Sequence, residues 1–252
     1  MGKFVLYFVA LFCASGAVAQ EDMEKLLAKL TDTLSKDPQN VQILVLRGML
    51  YAESKQCDKA VADFTSSLSY IPGFRKTGRP ADSYDEELLD SNTILRMRAY
   101  CYDQMDSVEK SVADYQLLQS LQPDEFFLSI AVARIYIQRE MYDRAQAEID
   151  RIKNNRGTNE RGLVYQAILY YESEKYQQAL EAVETTLDNH PNSIEGMMTK
   201  AKILAKLSKQ QEACKLLDEA ASKISLGYFK GERGYLREFE KDIQDLKAAH
   251  CK

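Results

Sequence analysis

Few residues in this chain combine the types and the spacing that enzyme chemistry requires. The 252 residues include only two histidines, His190 and His250. Neither has a second histidine nearby to complete a zinc site, and neither belongs to a recognisable Ser-His-Asp arrangement. The sequence therefore predicts no metal site, no cofactor and no catalytic function.

Two other short patterns are weak candidates for ligand sites. Gly227, Gly231 and Gly234 lie close together, but no strand precedes them as a nucleotide-binding loop requires. We interpret them as a flexible connection into the last helix. The acidic run of residues 82–87 does not follow the spacing of a calcium-binding loop and is more typical of a solvated helix start.

The first residues have the pattern of a secretory signal peptide. One basic residue is followed by the apolar run of residues 4–13 and then by small residues that end at Ala19. The apolar run has about ten residues, whereas a bilayer span needs ~20. We predict that residues 1–19 are cleaved after Ala19 and that the protein is exported to the periplasm or the exterior. A lipoprotein anchored through Cys13 is disfavoured because bulky Phe12 precedes that cysteine.

Composition and charge exclude several classes of protein. The formal net charge of -5 argues against a nucleic-acid-binding protein, which needs a basic face to neutralise phosphates. The 11 glycines and 5 prolines are too few for a loop-rich β-sandwich. No stretch after the predicted signal peptide is long and apolar enough to cross a membrane.

The rest of the chain repeats every 34 residues. A tyrosine or leucine is followed nine residues later by a small residue in five segments, namely Tyr51 and Ala60, Tyr102 and Ser111, Tyr136 and Ala145, Tyr170 and Ala179, and Leu204 and Ala213. A second small residue stands three places before each of these, at Gly48, Ala99, Ala133, Ala167 and Ala201. The first step, from Tyr51 to Tyr102, is 51 residues, which is one period plus an insertion of 17.

Each repeat predicts two antiparallel helices. Leu44, Gly48 and Tyr51 are spaced i, i+4 and i+7, so they share one face of a first helix. Ala60 and Phe64 form the answering face of a second helix, and the small residue lets the two helices approach closely. One such pair cannot bury its apolar face alone, so we expect the pairs to stack into a continuous core.

This period, with its small–Tyr–Ala–aromatic–Pro landmarks, resembles the tetratricopeptide repeat (TPR) family. The resemblance implies an all-α fold, a right-handed α-solenoid of stacked helix-turn-helix repeats. The expected segments are a capping helix at 20–40, repeats at 41–74, 92–125, 126–159, 160–193 and 194–227, an insertion at 75–91 and a second capping helix at 228–252. Arg47 and Arg98 stand where the family usually has leucine, and Ser111 replaces its alanine.

In TPR proteins the first helix of each repeat lines the concave side of the superhelix, and the resemblance implies that a partner protein binds there. The residues expected to line this groove are Val45, Met49, Arg96, Met97, Tyr100, Phe127, Ile130, Arg134, Arg161, Tyr165, Ile168, Met198 and Lys202. Tyr, Met and Arg are enriched at protein interfaces, although we expect about half of the apolar members to pack against a neighbouring repeat. The chaperone-binding clamp of some relatives is not carried over, because its positions hold Val45, Met49 and Met97.

We therefore expect an exported TPR adaptor or scaffold that binds a segment of a partner protein, in cell-envelope assembly or in a secreted complex. Two alternatives stay open from the sequence alone. One is a helper subunit of an envelope enzyme, and the other is a surface module that binds carbohydrate through tyrosine-lined grooves.

Four cysteines follow the predicted signal peptide: Cys57, Cys101, Cys214 and Cys251. An exported chain can oxidise them. In stacked helical pairs, the turn that holds Cys57 and the first helix that holds Cys101 are neighbours, so a Cys57–Cys101 disulfide is one expectation. A Cys214–Cys251 disulfide would require the last helix to fold back, and free buried thiols are the third alternative.

Overall fold

The structure is a computed structural model that describes residues 16–71, 91–123, 125–154, 159–226 and 233–251. Within these ranges every regular element is an α-helix, which confirms the predicted all-α class. The helices are α1 (Gly16–Lys36), α2 (Val41–Glu53), α3 (Cys57–Tyr70), α4 (Ser91–Gln104), α5 (Val108–Leu121), α6 (Phe126–Gln138), α7 (Tyr142–Asn154), α8 (Asn159–Glu172), α9 (Tyr176–Asn189), α10 (Ile194–Lys206), α11 (Gln210–Ser225) and α12 (Arg233–His250). Most of the predicted signal peptide and almost all of the predicted insertion lie outside the described residues.

The helices pack in sequence order as five hairpins, which are α2–α3, α4–α5, α6–α7, α8–α9 and α10–α11. They divide between two compact units, Met1–Pro123 and Asp124–Lys252. In unit 1, α1 packs on α2, and α3 packs on α4 of the next hairpin. In unit 2, α7 packs on α8, α9 on α10 and α11 on α12. Each unit is therefore a stack of consecutive hairpins, the arrangement of an α-solenoid.

The turn inside each hairpin has the same backbone conformation. One residue per turn adopts a left-handed φ between 55° and 62°, and these residues are Lys55, Asp106, Glu140, Glu174 and Ser208. The next amide reaches back to the carbonyl of the landmark tyrosine or leucine, as in the 2.8 Å bond from Gln56 N to Tyr51 O. Such a bond across five residues closes the carboxyl end of a helix. The repeated turn explains why the first helix of every hairpin ends just after that landmark.

The two helices of each hairpin meet at small, buried residues. Ala99, Ala133 and Ala167 of the first helices are fully buried. In hairpin 1 the approach is closest, because a Cβ atom placed on Gly48 would lie 2.7 Å from Cε1 of Phe64. Where the second helix has Ser111 instead of alanine, its hydroxyl donates a 2.7 Å hydrogen bond to the Ala99 carbonyl, so the polar atom is satisfied in the core.

In hairpins 1 and 2, an arginine of the first helix ties three helices together. Arg47 of α2 donates two 2.8 Å hydrogen bonds to Asp63 of α3 and a 3.1 Å bond to Thr31 of α1. These bonds to the carboxylate raise the pKa of Arg47 further above its usual value. The arrangement repeats one hairpin later, where Arg98 binds Asp114 at 2.7 and 2.8 Å and Thr65 at 3.2 Å.

The last helix closes the apolar core of hairpin 5. Ile243 of α12 is 1% exposed within that core, and Phe239 and Leu246 pack against it. A disulfide joins Cys214 of α11 to Cys251, with Cα atoms 5.6 Å apart. In the chain-entropy account, closing a loop with a sequence separation of 37 stabilises the fold by ~4 kcal/mol.

The structure therefore contains the Cys214–Cys251 disulfide, and α12 folds back onto α11 as this bond requires. Cys57 and Cys101 are buried free thiols. They lie in hydrogen-bonding contact, and burial together with this contact raises the pKa of Cys101 to about 12. The disulfide between Cys57 and Cys101 stays a prediction for the oxidised protein.

The close approach at Gly48 predicts that the effect of Gly48→Ala on the free energy of unfolding depends on the Phe64 side chain. Gly48→Ala should destabilise the protein by about 1 kcal/mol, because overpacking against the buried Phe64 ring outweighs the better helix propensity of alanine. In a Phe64→Leu background the same change should be neutral or stabilising. Urea unfolding of the four proteins of this cycle measures the coupling. Equal effects of Gly48→Ala in both backgrounds would contradict the contact.

The cysteine assignments predict a labelling pattern. When the protein is denatured without reduction, an alkylating reagent should modify Cys57 and Cys101 but neither Cys214 nor Cys251. A second reagent added after reduction should modify the remaining two, and peptide mass spectrometry distinguishes them. Modification of all four before reduction would contradict the Cys214–Cys251 disulfide, and modification of none would establish the additional Cys57–Cys101 bond.

Candidate functional site

Three first helices lie side by side in unit 2 and present the predicted groove residues. Helix α8 contacts α6 on one side and α10 on the other. Residues one repeat period apart therefore occupy equivalent places on neighbouring helices. Phe127, Arg161 and Glu195 are 34 residues apart and form one such row, which we call the ladder. Arg134 and Lys202 occupy a second row, seven residues further along α6 and α10, and thus on the same helix faces.

Direct contacts connect the members of the ladder. The guanidinium carbon of Arg161 lies 5.1 Å from the centre of the Phe127 ring, which is within the range of a cation–π interaction. Nε of the same arginine lies 4.0 Å from Oε2 of Glu195. Phe127 is 45% exposed, which is unusual for a phenylalanine. The ladder therefore places an exposed aromatic ring, a cation and a carboxylate in line across three helices.

Tyr165 lies on α8 amid the charges of the second row and the ladder. Its pKa is raised to about 12, chiefly by burial and also by the Glu195 carboxylate, whereas Arg134 and Arg161 act in the opposite direction. The phenol therefore stays protonated at neutral pH and can donate as well as accept a hydrogen bond. We call the ladder together with Arg134, Tyr165 and Lys202 the unit 2 face.

Glu195 is the most constrained charge on this face. Its side chain is only 28% exposed. Burial raises the pKa of its carboxyl group and nearby Glu160 adds to the rise, whereas Arg161 and Lys202 lower it. Its negative charge is thus poorly solvated and depends on Arg161 and Lys202 for compensation.

The structure separates the predicted groove residues into exposed and packed sets. In unit 2, Phe127, Arg134 and Lys202 are exposed, Arg161, Tyr165 and Ile168 are half-buried, and Ile130 and Met198 are buried. In unit 1, Tyr100 is 46% exposed, Met49, Arg96 and Met97 are half-buried, and Val45 is fully buried. The buried members serve the core rather than an accessible surface. Arg96 donates a 3.2 Å hydrogen bond to Gln122, which holds its side chain within unit 1.

Glu195 is the functional candidate that the sequence prediction omitted. It stands one period after Arg161 and two periods after Phe127, so the 34-residue register alone places it beside them. The predicted groove residues of the last repeat, Met198 and Lys202, leave out the position that Arg161 occupies in the repeat before it. An acidic residue in register with a basic one is the signal that could have identified it.

Neither a candidate metal cluster nor a helix that could span a membrane occurs among the described residues. They contain no group of three or more His, Cys, Asp or Glu side chains that could hold a metal ion. His190 lies in the turn before α10. Its Nδ1 is 3.9 Å from Oε2 of Glu160, which lies in the first turn of α8. Among the described helices, none is both long and apolar enough to span a bilayer.

No protein-family model matches the chain, and no curated protein is significantly similar to it in sequence. Solved structures resemble it in fold. A tetratricopeptide repeat protein from Parabacteroides merdae has a TM-score of 0.58 at 18% identity, over 90% of this chain and 94% of that one. The C-terminal part of a TPR repeat-containing protein from Cytophaga hutchinsonii has a TM-score of 0.57 at 14% identity, over 97% and 95%. BtubC from P. vanneervenii has a TM-score of 0.52 at 15% identity, over 87% and 96%. The chain therefore has the fold of the tetratricopeptide repeat proteins.

Proposed function

We propose that this protein is an exported TPR adaptor that binds a segment of a partner protein against the first helices of its repeats. The observation that carries the proposal is the ladder, in which Phe127 stays 45% exposed although it lies under the Arg161 guanidinium. Leaving such a ring in water is unfavourable by itself, since burying a phenylalanine side chain stabilises by ~1.5–3 kcal/mol. A partner that covers the ring would gain the part of this free energy that belongs to the exposed 45%.

The other residues of the unit 2 face suit recognition of a polypeptide. Tyr165 offers a protonated hydroxyl group, and Arg134 and Lys202 offer exposed cations on the two flanking helices. Aromatic residues and arginine are the types that most often carry the binding energy at protein interfaces. None of these side chains forms the convergent acid–base pair that a hydrolytic enzyme would need. The face therefore favours binding over catalysis.

Export of the chain is supported by two independent features. The first is the apolar run that ends at Ala19, which is typical of a secretory signal. The second is the disulfide between Cys214 and Cys251, because disulfides persist in oxidising compartments and are rare in the cytosol. We propose that the mature protein works in the periplasm or outside the cell, in envelope assembly or in a secreted complex.

Site-specific photo-crosslinking tests the binding role. A benzophenone amino acid in place of Phe127 should capture a discrete protein adduct in the cells that make this chain. The same amino acid in place of Gln178, an exposed residue on second helix α9, should capture none. Immunoblotting of the adducts with and without the Arg161→Glu substitution shows whether the ladder is needed. Equal adducts at both positions, or none at Phe127, would contradict an adaptor that uses this face.

The mature amino terminus tests export separately. Protein isolated from the periplasm or medium should begin at Gln20, because signal peptidase cleaves after the small residue Ala19. Ala19→Phe should block this cleavage and leave a larger, membrane-associated precursor. Intact-mass measurement distinguishes the two forms. A chain that keeps residues 1–19 and stays in the cytoplasm would refute export while leaving the binding role intact.

A further inference from the structure

We infer that the partner segment is anionic, and that Glu195 is a specificity-determining residue that competes with the carboxylates of this segment for Arg161. The inference rests on the proposed binding function and adds the chemical class of the partner. It is carried by the charge pattern and the contact geometry of the unit 2 face.

The first argument is charge complementarity. Helices α6, α8 and α10 carry five cationic and three anionic side chains, which are Arg134, Arg161, Lys200, Lys202 and Lys206 against Glu160, Glu172 and Glu195. Lys200 is paired with Glu184 of α9 at 2.9 Å. Without Lys200, the three first helices still carry four cationic against three anionic side chains, whereas the whole chain has a formal net charge of -5. A surface that opposes the sign of its own protein attracts partners of the opposite charge and accelerates their association.

The second argument is the geometry around Arg161. Its guanidinium carbon lies 5.1 Å from the centre of the Phe127 ring, so the cation is held beside an exposed aromatic side chain. The distance of 4.0 Å from Nε to Glu195 Oε2 exceeds the ~2.7–2.9 Å of a charge-assisted hydrogen bond. Glu195 therefore compensates the charge of Arg161 without forming a hydrogen bond through these two atoms. A carboxylate that arrives from solvent can form the paired hydrogen bonds that Glu195 does not.

The third argument concerns the carboxylate of Glu195 itself. It is largely buried between α8 and α10, with Arg161 and Lys202 as its nearest compensating cations. An incoming carboxylate would share these cations with Glu195 and would be repelled by it at short range. Removing the charge of Glu195 should therefore strengthen the binding of an anionic segment, whereas loss of a residue that contacts the partner directly would weaken it.

Selection from a displayed library of random peptides tests the chemical class. The mature protein should select peptides enriched in Asp and Glu relative to the input library, usually with an aromatic or aliphatic residue beside the acid. Binding of the strongest selected peptide, measured by fluorescence anisotropy, should weaken roughly tenfold in Arg161→Gln and strengthen roughly tenfold in Glu195→Gln. Lys215→Gln is the matched control, because it removes one exposed cation from second helix α11, and it should change affinity less than about twofold.

The outcomes separate the inference from the function on which it rests. If the selected peptides are neutral or basic, the partner class is wrong while peptide binding by the TPR fold stands. If Glu195→Gln weakens an acidic peptide, the competing role of Glu195 is wrong. If the mature protein selects no peptide, and Phe127 also captures no adduct in cells, the binding function itself is refuted. Equal helical circular dichroism and equal thermal unfolding midpoints of all variants ensure that these differences do not reflect misfolding.

Discussion

The fold depends on the close approach of two helices at small residues within every hairpin. The side chains that face each other there are almost all Ala or Gly, and the answering alanines Ala60, Ala145, Ala179 and Ala213 are fully buried. Added volume has little space there, since a Cβ atom on Gly48 would already lie 2.7 Å from the Phe64 ring. Once the helices are locked in this way, each first helix has only its remaining faces for stacking on neighbours and for recognition. The position of the candidate site is therefore a consequence of the packing.

The period of the sequence was sufficient to predict the fold class because the packing constraint recurs with the repeat. Tyr102, Tyr136 and Tyr170 mark the ends of first helices, and the structure has a left-handed residue four positions after each of them. These turn residues carried no sequence signal, since none of the five is glycine. The turn conformation is imposed by the packing of the two helices rather than by local preference, which is why propensity alone could not locate it.

The interactions that could not be predicted from the sequence are those of long side chains with several possible partners. In the sequence Arg47 is only a departure from the family pattern, because its bonds to Asp63 and Thr31 depend on three helices being in place. The Cys214–Cys251 bond likewise depends on the direction in which α12 returns. On the unit 2 face, the 34-residue register puts Phe127 and Arg161 in one row, whereas the burial of Ile130 and Met198 depends on the rotation of each helix about its axis.

The disulfide at the carboxyl end has a consequence for how unit 2 opens. In stacked repeats each hairpin is stabilised mainly by its neighbours, so the terminal element, which has a neighbour on one side only, is ordinarily the first to detach. Here the terminal helix is covalently fastened to the hairpin beneath it. Thermal fraying from this end is suppressed as long as the bond is oxidised. A reducing environment would restore the loose terminus and shorten the lifetime of the last hairpin.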